Sequence, residues 1–131
     1  MNLLLDTHIW IWNDLQPEKL TSQVSQEIAN ANNELWLSPV SIWELLLLVE
    51  KKRLKLNQEF HRWVSESVRE LDLKEVPVTW DVAHELRFSI LQHGDPADRF
   101  LVATARAYDM TLITADQNLL RLPNLKVLPN V

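Results

Sequence analysis

Five short apolar stretches, "NLLLD", "ELWLS", "KEVPV", "TLIT" and "LKVLP", alternate with helical patterns along this chain. That alternation limits the fold more than any other feature. Short apolar strands separated by helices suit a parallel sheet buried on both faces, with the crossover helices as its cover. The expected fold class is α/β, with a small parallel β-sheet flanked by α-helices in one domain spanning 1-131. No repeat, low-complexity tract or Gly/Pro/Ser-rich linker divides the chain. In open sheets of this kind ligands sit outside the carboxyl ends of the strands. Asp6 and Asp116 stand at two of those ends.

The intervening segments carry helix signals. "THIWIWND" is predicted helical with Asp6-Thr7 as its cap, and "TSQVSQEIANAN" opens at Thr21 or Ser22 and closes near Asn32-Asn33. Ser38-Pro39 launches "VSIWELLLLVEKKRL", with proline at the first helical position. "EFHRWVSESVREL" places apolar residues at 60, 63, 64, 68 and 71, the spacing of an amphipathic helix. Thr79 opens "TWDVAHELRFSILQH", and Asp95-Pro96 opens a further helix with Ala97, Phe100, Leu101, Thr104, Ala105 and Tyr108 along one face. "DQNLLRL" is a short helix after the fourth strand.

Composition removes several function classes. With no cysteine, disulfides and thiolate metal sites are excluded. The start "MNLLLDTHIWIW" lacks the basic flank and cleavage site of a signal peptide. The longest apolar stretch, "LWLSPVSIWELLLLV", is too short and interrupted to span a bilayer, so a cytoplasmic protein without a membrane role is expected. The net charge of −5 runs against the basic balance usual in nucleic-acid-binding domains.

Five acids stand out. Asp95 before Pro96 is explained almost completely as a helix N-cap, and Asp98 at the third helical position suits the helix dipole. Asp6 and Asp116 could each cap the helix that follows. Glu44 is different, because it lies among Val40, Ile42, Trp43, Leu45, Leu46, Leu47, Leu48 and Val49. A helix apolar nearly all round is buried or lies in an interface, and a carboxylate there is costly unless a cation or strong hydrogen bonds compensate it. If the sheet is parallel, all five acids can converge on one edge. Oxygen-only ligands suit Mg²⁺ or Mn²⁺, and such a site favours in-line attack of water on a phosphodiester.

In order and spacing, "LLLDTHIWIW", "SPVSIWEL", "HGDPADRFLVATA" and "LITADQNL" resemble the signatures of PIN-domain proteins, and more narrowly the VapC-type toxins of bacterial toxin–antitoxin pairs. Each motif alone is weak, and the ordered set of four is specific. The resemblance spans Asp6 to Asn118. It implies a metal-dependent endoribonuclease acting on single-stranded or structured RNA, silenced by a cognate antitoxin, with Mg²⁺ or Mn²⁺ as cofactor. Asp6, Glu44, Asp98 and Asp116 match the family's first to fourth acids and are implied as catalytic residues and metal ligands. Asp95 matches an additional acid of the subgroup carrying a "DPxDR" motif, as cap or outer ligand. Thr7 matches the small hydroxyl residue that follows the first acid and orients it. Ala115 departs from the larger polar or charged residue of many relatives, without touching an acid.

Other features carry competing explanations. Arg87 and Arg99 could meet RNA phosphate or be merely solvated, and "EKKRLK" at 50–55 could meet RNA or favour a helix dipole. His93 could be a ligand or a loop residue without a role. Of six tryptophans, Trp36 and Trp43 are expected in the core, while Trp10 and Trp12 could be core or partner contacts. The apolar helix from Val40 to Val49 exceeds what one small sheet need cover, so a homodimer or an antitoxin-binding groove along it is expected. Two alternatives stand beside the ribonuclease: a catalytically silent PIN-like scaffold, and a phosphoacceptor receiver domain.

Overall fold

The computed structural model describes residues 1–91 and 95–131. These form five strands: β1 (Asn2–Leu5), β2 (Glu34–Leu37), β3 (Lys74–Glu75), β4 (Thr111–Thr114) and β5 (Val127–Pro129). They make one sheet of order β3-β2-β1-β4-β5, and every pairing is parallel. The helices are α1 (Thr7–Leu15), α2 (Ser22–Ala29), α3 (Pro39–Glu50), α4 (Phe60–Glu70), α5 (Trp80–Glu85), α6 (Pro96–Ala107) and α7 (Gln117–Leu120).

The central strand shows why its sequence is continuously apolar. Leu3, Leu4 and Leu5 are all fully buried. Leu3 and Leu5 join Ile9, Trp10, Val24, Leu45 and Trp63 on the face covered by α1 to α4. Leu4 joins Leu101, Val102, Ala105 and Leu119 on the opposite face, under α6 and α7. Each such side chain contributes roughly 1.5–3 kcal/mol by leaving water. The chain runs from β1 outward through β2 and β3, then returns past β1 to β4 on its other side. This reversal opens a crevice at the carboxyl ends of β1 and β4. The strand order also differs from the receiver-type order, and Val76-Pro77 rather than an acid follows β3. The receiver alternative is therefore set aside.

Several element boundaries differ from expectation, each for a local reason. α2 ends at Ala29 because the Asn30 side chain accepts the Asn32 amide at 2.9 Å, starting a turn. α3 ends at Glu50 rather than near Leu54. Lys52 adopts a left-handed φ of 57°, and the amides of Lys52 and Arg53 bond back to Val49 and Leu48, a Schellman cap formed without glycine. The helix expected from Thr79 to His93 stops at Glu85 and continues only as the 3₁₀ turn Leu86–Phe88. Arg99 donates to the Leu86 carbonyl at 2.8 Å through Nη2, and Arg106 donates to the Phe88 carbonyl at 2.8 Å. Those carbonyls are acceptors that a continuing helix would need. The third strand pairs over two residues, extended by one bond from the Val76 amide to Leu37, before Pro77 removes the next donor.

The tryptophans also sort differently. Trp43, expected in the core, is 49% exposed, and Trp36 is half-buried. Trp10 and Trp63 are the fully buried tryptophans, and the Trp10 indole N–H donates to Ser67 at 2.8 Å. Among the described residues no helix is long and apolar enough to cross a membrane.

Candidate functional site

The site begins where β1 ends. The Asp6 amide donates to the Ile113 carbonyl at 3.0 Å and carries the β1–β4 ladder one residue further. Asp6 sits at the N-cap of α1, yet among the described residues its side chain makes no capping hydrogen bond. Its Oδ2 instead accepts the Thr114 hydroxyl at 2.6 Å. A buried carboxylate that does not cap is unexplained by helix structure alone. Thr114 also accepts the Asp116 amide at 3.1 Å, and Asp116 caps α7 by accepting the Asn118 amide at 2.8 Å. Thr114 therefore ties two of the acids together. Sequence reasoning missed it, although the register pairing Leu5 with Ile113 places the next residues, Asp6 and Thr114, side by side.

Glu44 arrives from α3. Ser38 caps this helix through the Val40 amide at 3.1 Å, which confirms Ser38-Pro39 as its start. Ser41 accepts the buried Thr7 hydroxyl at 2.9 Å, pinning α3 to α1 one residue beyond Asp6. Glu44 lies three residues further on, on the same side of the helix. The Thr7 hydroxyl thus serves α3, while its backbone N–H is what supports the Asp6 carboxylate. Glu44 is only 9% exposed, and its Oε1 is buried with no hydrogen-bond partner among the described residues.

α6 supplies the last two acids. Asp95 caps it, its Oδ1 accepting the Ala97 amide at 3.0 Å, and Asp98 follows at the third helical position. Carboxylate oxygens of Glu44, Asp95 and Asp98 lie within 4.8 Å of one another. With Asp6 and Asp116 they line one cleft of about 320 Å³, whose remaining wall is His8, Trp12 and Ala115. All five acids singled out from the sequence meet there. Gly94 and His93 lie outside the described residues. Arg99 turns its donors to Leu86, and the Arg87 guanidinium lies 4.5 Å from the Phe88 ring centroid. Lys51, Lys52 and Arg53 are exposed beyond the end of α3.

Crowding sets the electrostatics. Burial pushes the Asp98 carboxyl up to about 7, reinforced by the charges of Asp6, Asp95, Glu44 and Asp116. Burial likewise raises Glu44 to about 7; the Thr7 hydroxyl opposes this, and Asp95 and Asp6 add to it. Asp6 is raised by burial against the opposing pull of Thr114. A set of oxygen donors that repel one another, with one buried oxygen unpartnered, fits a hard divalent cation. Glu44, Asp95 and Asp98 bring their oxygens close enough to share such an ion, and Asp6 and Asp116 line the same cleft.

Comparison with known proteins agrees with this arrangement. A PIN domain family model matches residues 3–125. Over 120 residues the chain is 33% identical to Ribonuclease VapC22 of Mycobacterium tuberculosis, covering 89% of this chain and 88% of that protein. Its fold matches VapBC2 from Rickettsia felis, solved bound to a promoter DNA fragment, with a TM-score of 0.75 at 17% identity and 98% of each chain covered. It also matches VapBC-5 from Mycobacterium tuberculosis, of the VapBC family of toxin-antitoxin systems, with a TM-score of 0.60 at 15% identity and 98% of each chain covered. The chain belongs to the PIN-domain family and, within it, to the VapC proteins.

Proposed function

We propose that the chain is a Mg²⁺- or Mn²⁺-dependent endoribonuclease that acts as the toxin of a toxin–antitoxin pair. The observation that carries this reading is the cleft itself: five carboxylates converge at the switch point of a parallel sheet, one of them with a buried, unpartnered oxygen. The similarity to a ribonuclease and to toxin–antitoxin proteins supports the same reading.

Asp6, Glu44, Asp98 and Asp116 are the proposed catalytic residues and metal ligands, with Asp95 as an outer member. A bound divalent cation supplies a water that deprotonates near neutral pH and a counter-charge for the leaving oxygen. The chain's own residues prepare that chemistry. Thr114 and the Thr7 amide oppose the rise that burial imposes on the Asp6 carboxyl, and Thr114 fixes the backbone of Asp116. Glu44 and Asp98, whose carboxyls burial raises to about 7, would bind a cation in competition with protons. The Asp95 cap fixes the first turn of α6 and so the direction of Asp98.

Protein partners are the second part of the proposal. Trp43 and Leu46, three residues apart on α3, are 49% and 37% exposed, an apolar stripe suited to a cognate antitoxin. Trp80, Phe88 and Ile90 form a second exposed apolar set, suited to a homodimer contact. The mass in solution, alone and with the antitoxin, tests both.

The decisive experiment is cleavage of a labelled single-stranded RNA by antitoxin-free protein with Mg²⁺, Mn²⁺ or EDTA, beside Asp98→Asn. Metal-dependent cutting lost in the variant supports the assignment. A folded protein that neither cuts nor binds Mn²⁺ reduces the acids to helix caps and leaves a silent scaffold.

A further inference from the structure

We propose that Trp12, with His8 beside it, is a stacking platform for one nucleobase of the RNA strand, adjoining the phosphodiester at the acidic cleft. This rests on the ribonuclease reading and adds how the substrate is gripped.

The cleft poses a problem that the acids cannot solve. Among the described residues no lysine or arginine lines it, and its only side chains besides the acids and Ala115 are His8 and Trp12. Lysine or arginine contacts to phosphate, the usual source of nucleic-acid affinity, are therefore not supplied by the described residues of the wall. Single-stranded RNA can instead be held by stacking its unpaired bases on aromatic rings. His8 and Trp12 are four residues apart on α1, two and six residues beyond Asp6, with ring centroids 5.8 Å apart and planes inclined by 54°. His8 is exposed, while Trp12 is half-buried and packs against the margin of the core. The indole is thus fixed in place and costs little ordering when a base arrives.

Lys19 completes the picture. Its ammonium sits 5.2 Å from the Trp12 ring centroid. Its backbone is held by Asn130, which accepts the Thr21 amide at 2.7 Å and donates to the Lys19 carbonyl at 3.0 Å. An exposed lysine–ring contact shifts an equilibrium by roughly 2- to 5-fold. Stacking of a base on an aromatic side chain is worth roughly 5- to 150-fold. The base therefore displaces the ammonium, which then stands free to meet the flanking phosphate. A tethered lysine at the rim supplies the positive charge that the cleft wall lacks.

The test uses a single-stranded RNA that the wild type cuts, and copies with one abasic nucleotide stepped across the cut site. Wild type, Trp12→Leu, Trp12→Phe and the exposed-site variant His8→Ala are compared at matched thermal stability. One abasic position is expected to lower kcat/KM by roughly 5- to 150-fold in the wild type. Trp12→Leu should show the same loss on intact RNA and no further loss at that position. Trp12→Phe should fall between, and His8→Ala should lose a few-fold on intact RNA only. Equal cutting by folded Trp12→Leu, or an equal loss on every abasic substrate, overturns the platform while leaving the ribonuclease standing.

Binding of the same RNAs to Asp98→Asn in Mn²⁺, followed by fluorescence anisotropy, needs no turnover. Weaker binding after adding Trp12→Leu supports the platform even where no cutting is seen. Unchanged binding overturns the platform alone. Absence of both binding and cutting overturns the platform and the ribonuclease together.

Discussion

Thr114 grips Asp6 across the β4–β1 seam at 2.6 Å, joining residues 108 apart in the chain. The same oxygen accepts the Asp116 amide, so one hydroxyl sets the spacing of two acids. Thr114→Val keeps the shape and removes the donor. The Asp6 carboxylate is then buried without its neutral partner. Stability at neutral pH should fall by about 1–3 kcal/mol. RNA cleavage should fall roughly 10- to 100-fold, the usual effect of losing a group that orients a ligand. Thr114→Ser should keep most of both. Thermal unfolding and cleavage rates, measured in parallel, check this; a Thr114→Val protein as active as wild type rules it out.

The two acids of α6 separate by substitution. Asparagine caps a helix as well as aspartate, so Asp95→Asn should unfold at the wild-type temperature, whereas Asp95→Ala should lose about 0.5–2 kcal/mol. Any drop in cleavage by Asp95→Asn then reports its charge at the cleft. Asp98→Asn should abolish cleavage and raise the stability of the metal-free protein, because it removes a carboxyl crowded by four others. A metal-free Asp98→Asn protein less stable than wild type at pH 8 would count against this electrostatic account.

The same crowding sets a pH dependence. Glu44 and Asp98 have ordinary values of 4.5 and 3.8 and stand near 7 in the folded protein. A group raised on folding favours the native state below its unfolded value and loses that contribution as pH rises through its folded value. The metal-free protein should therefore lose stability between about pH 4 and pH 7. Mn²⁺ binds the deprotonated acids, so its stabilising effect should grow over that range. Melting temperatures with EDTA and with Mn²⁺ across pH check both slopes. A Mn²⁺ effect independent of pH would exclude these two acids from the site.

Much of this was legible in the sequence. The run of leucines in β1 and the Ser38-Pro39 start of α3 reflect local rules, and so does the cost of placing Glu44 in an apolar helix. What stayed hidden depends on residues distant in the chain. Nothing near Glu85 announces that its helix ends there, because the arginines that take the Leu86 and Phe88 carbonyls lie on α6. Thr114 is an ordinary strand residue until the β1–β4 register puts it beside Asp6. Trp43 fits the apolar pattern of α3, yet the helix is covered on one side only.

Arg99 offers a control for RNA contacts. Its Nε and Nη2 both donate to the Leu86 carbonyl, a two-donor grip that lysine cannot reproduce. Arg99→Lys should lower stability by about 1–2 kcal/mol. The salt dependence of RNA binding should not change, because the guanidinium faces the protein rather than a phosphate. A shallower salt slope in the variant would place Arg99 on the RNA instead.

The position of β1 at the centre of the sheet has a consequence for synthesis. Leu3, Leu4 and Leu5 leave the ribosome before their partners Thr111, Leu112 and Ile113, which emerge more than a hundred residues later. Closing so long a loop is slow, and the contacts that reward it are non-local. Until β4 docks, Asp6 has neither Thr114 nor Asp116 beside it. The nascent chain therefore carries its first acid harmlessly, and the acidic pocket exists only once the chain through Asp116 is free to fold. An enzyme directed at RNA is built beside the RNA machine that makes it, and this topology delays its arming until β4 and Asp116 have followed β1 out of that machine.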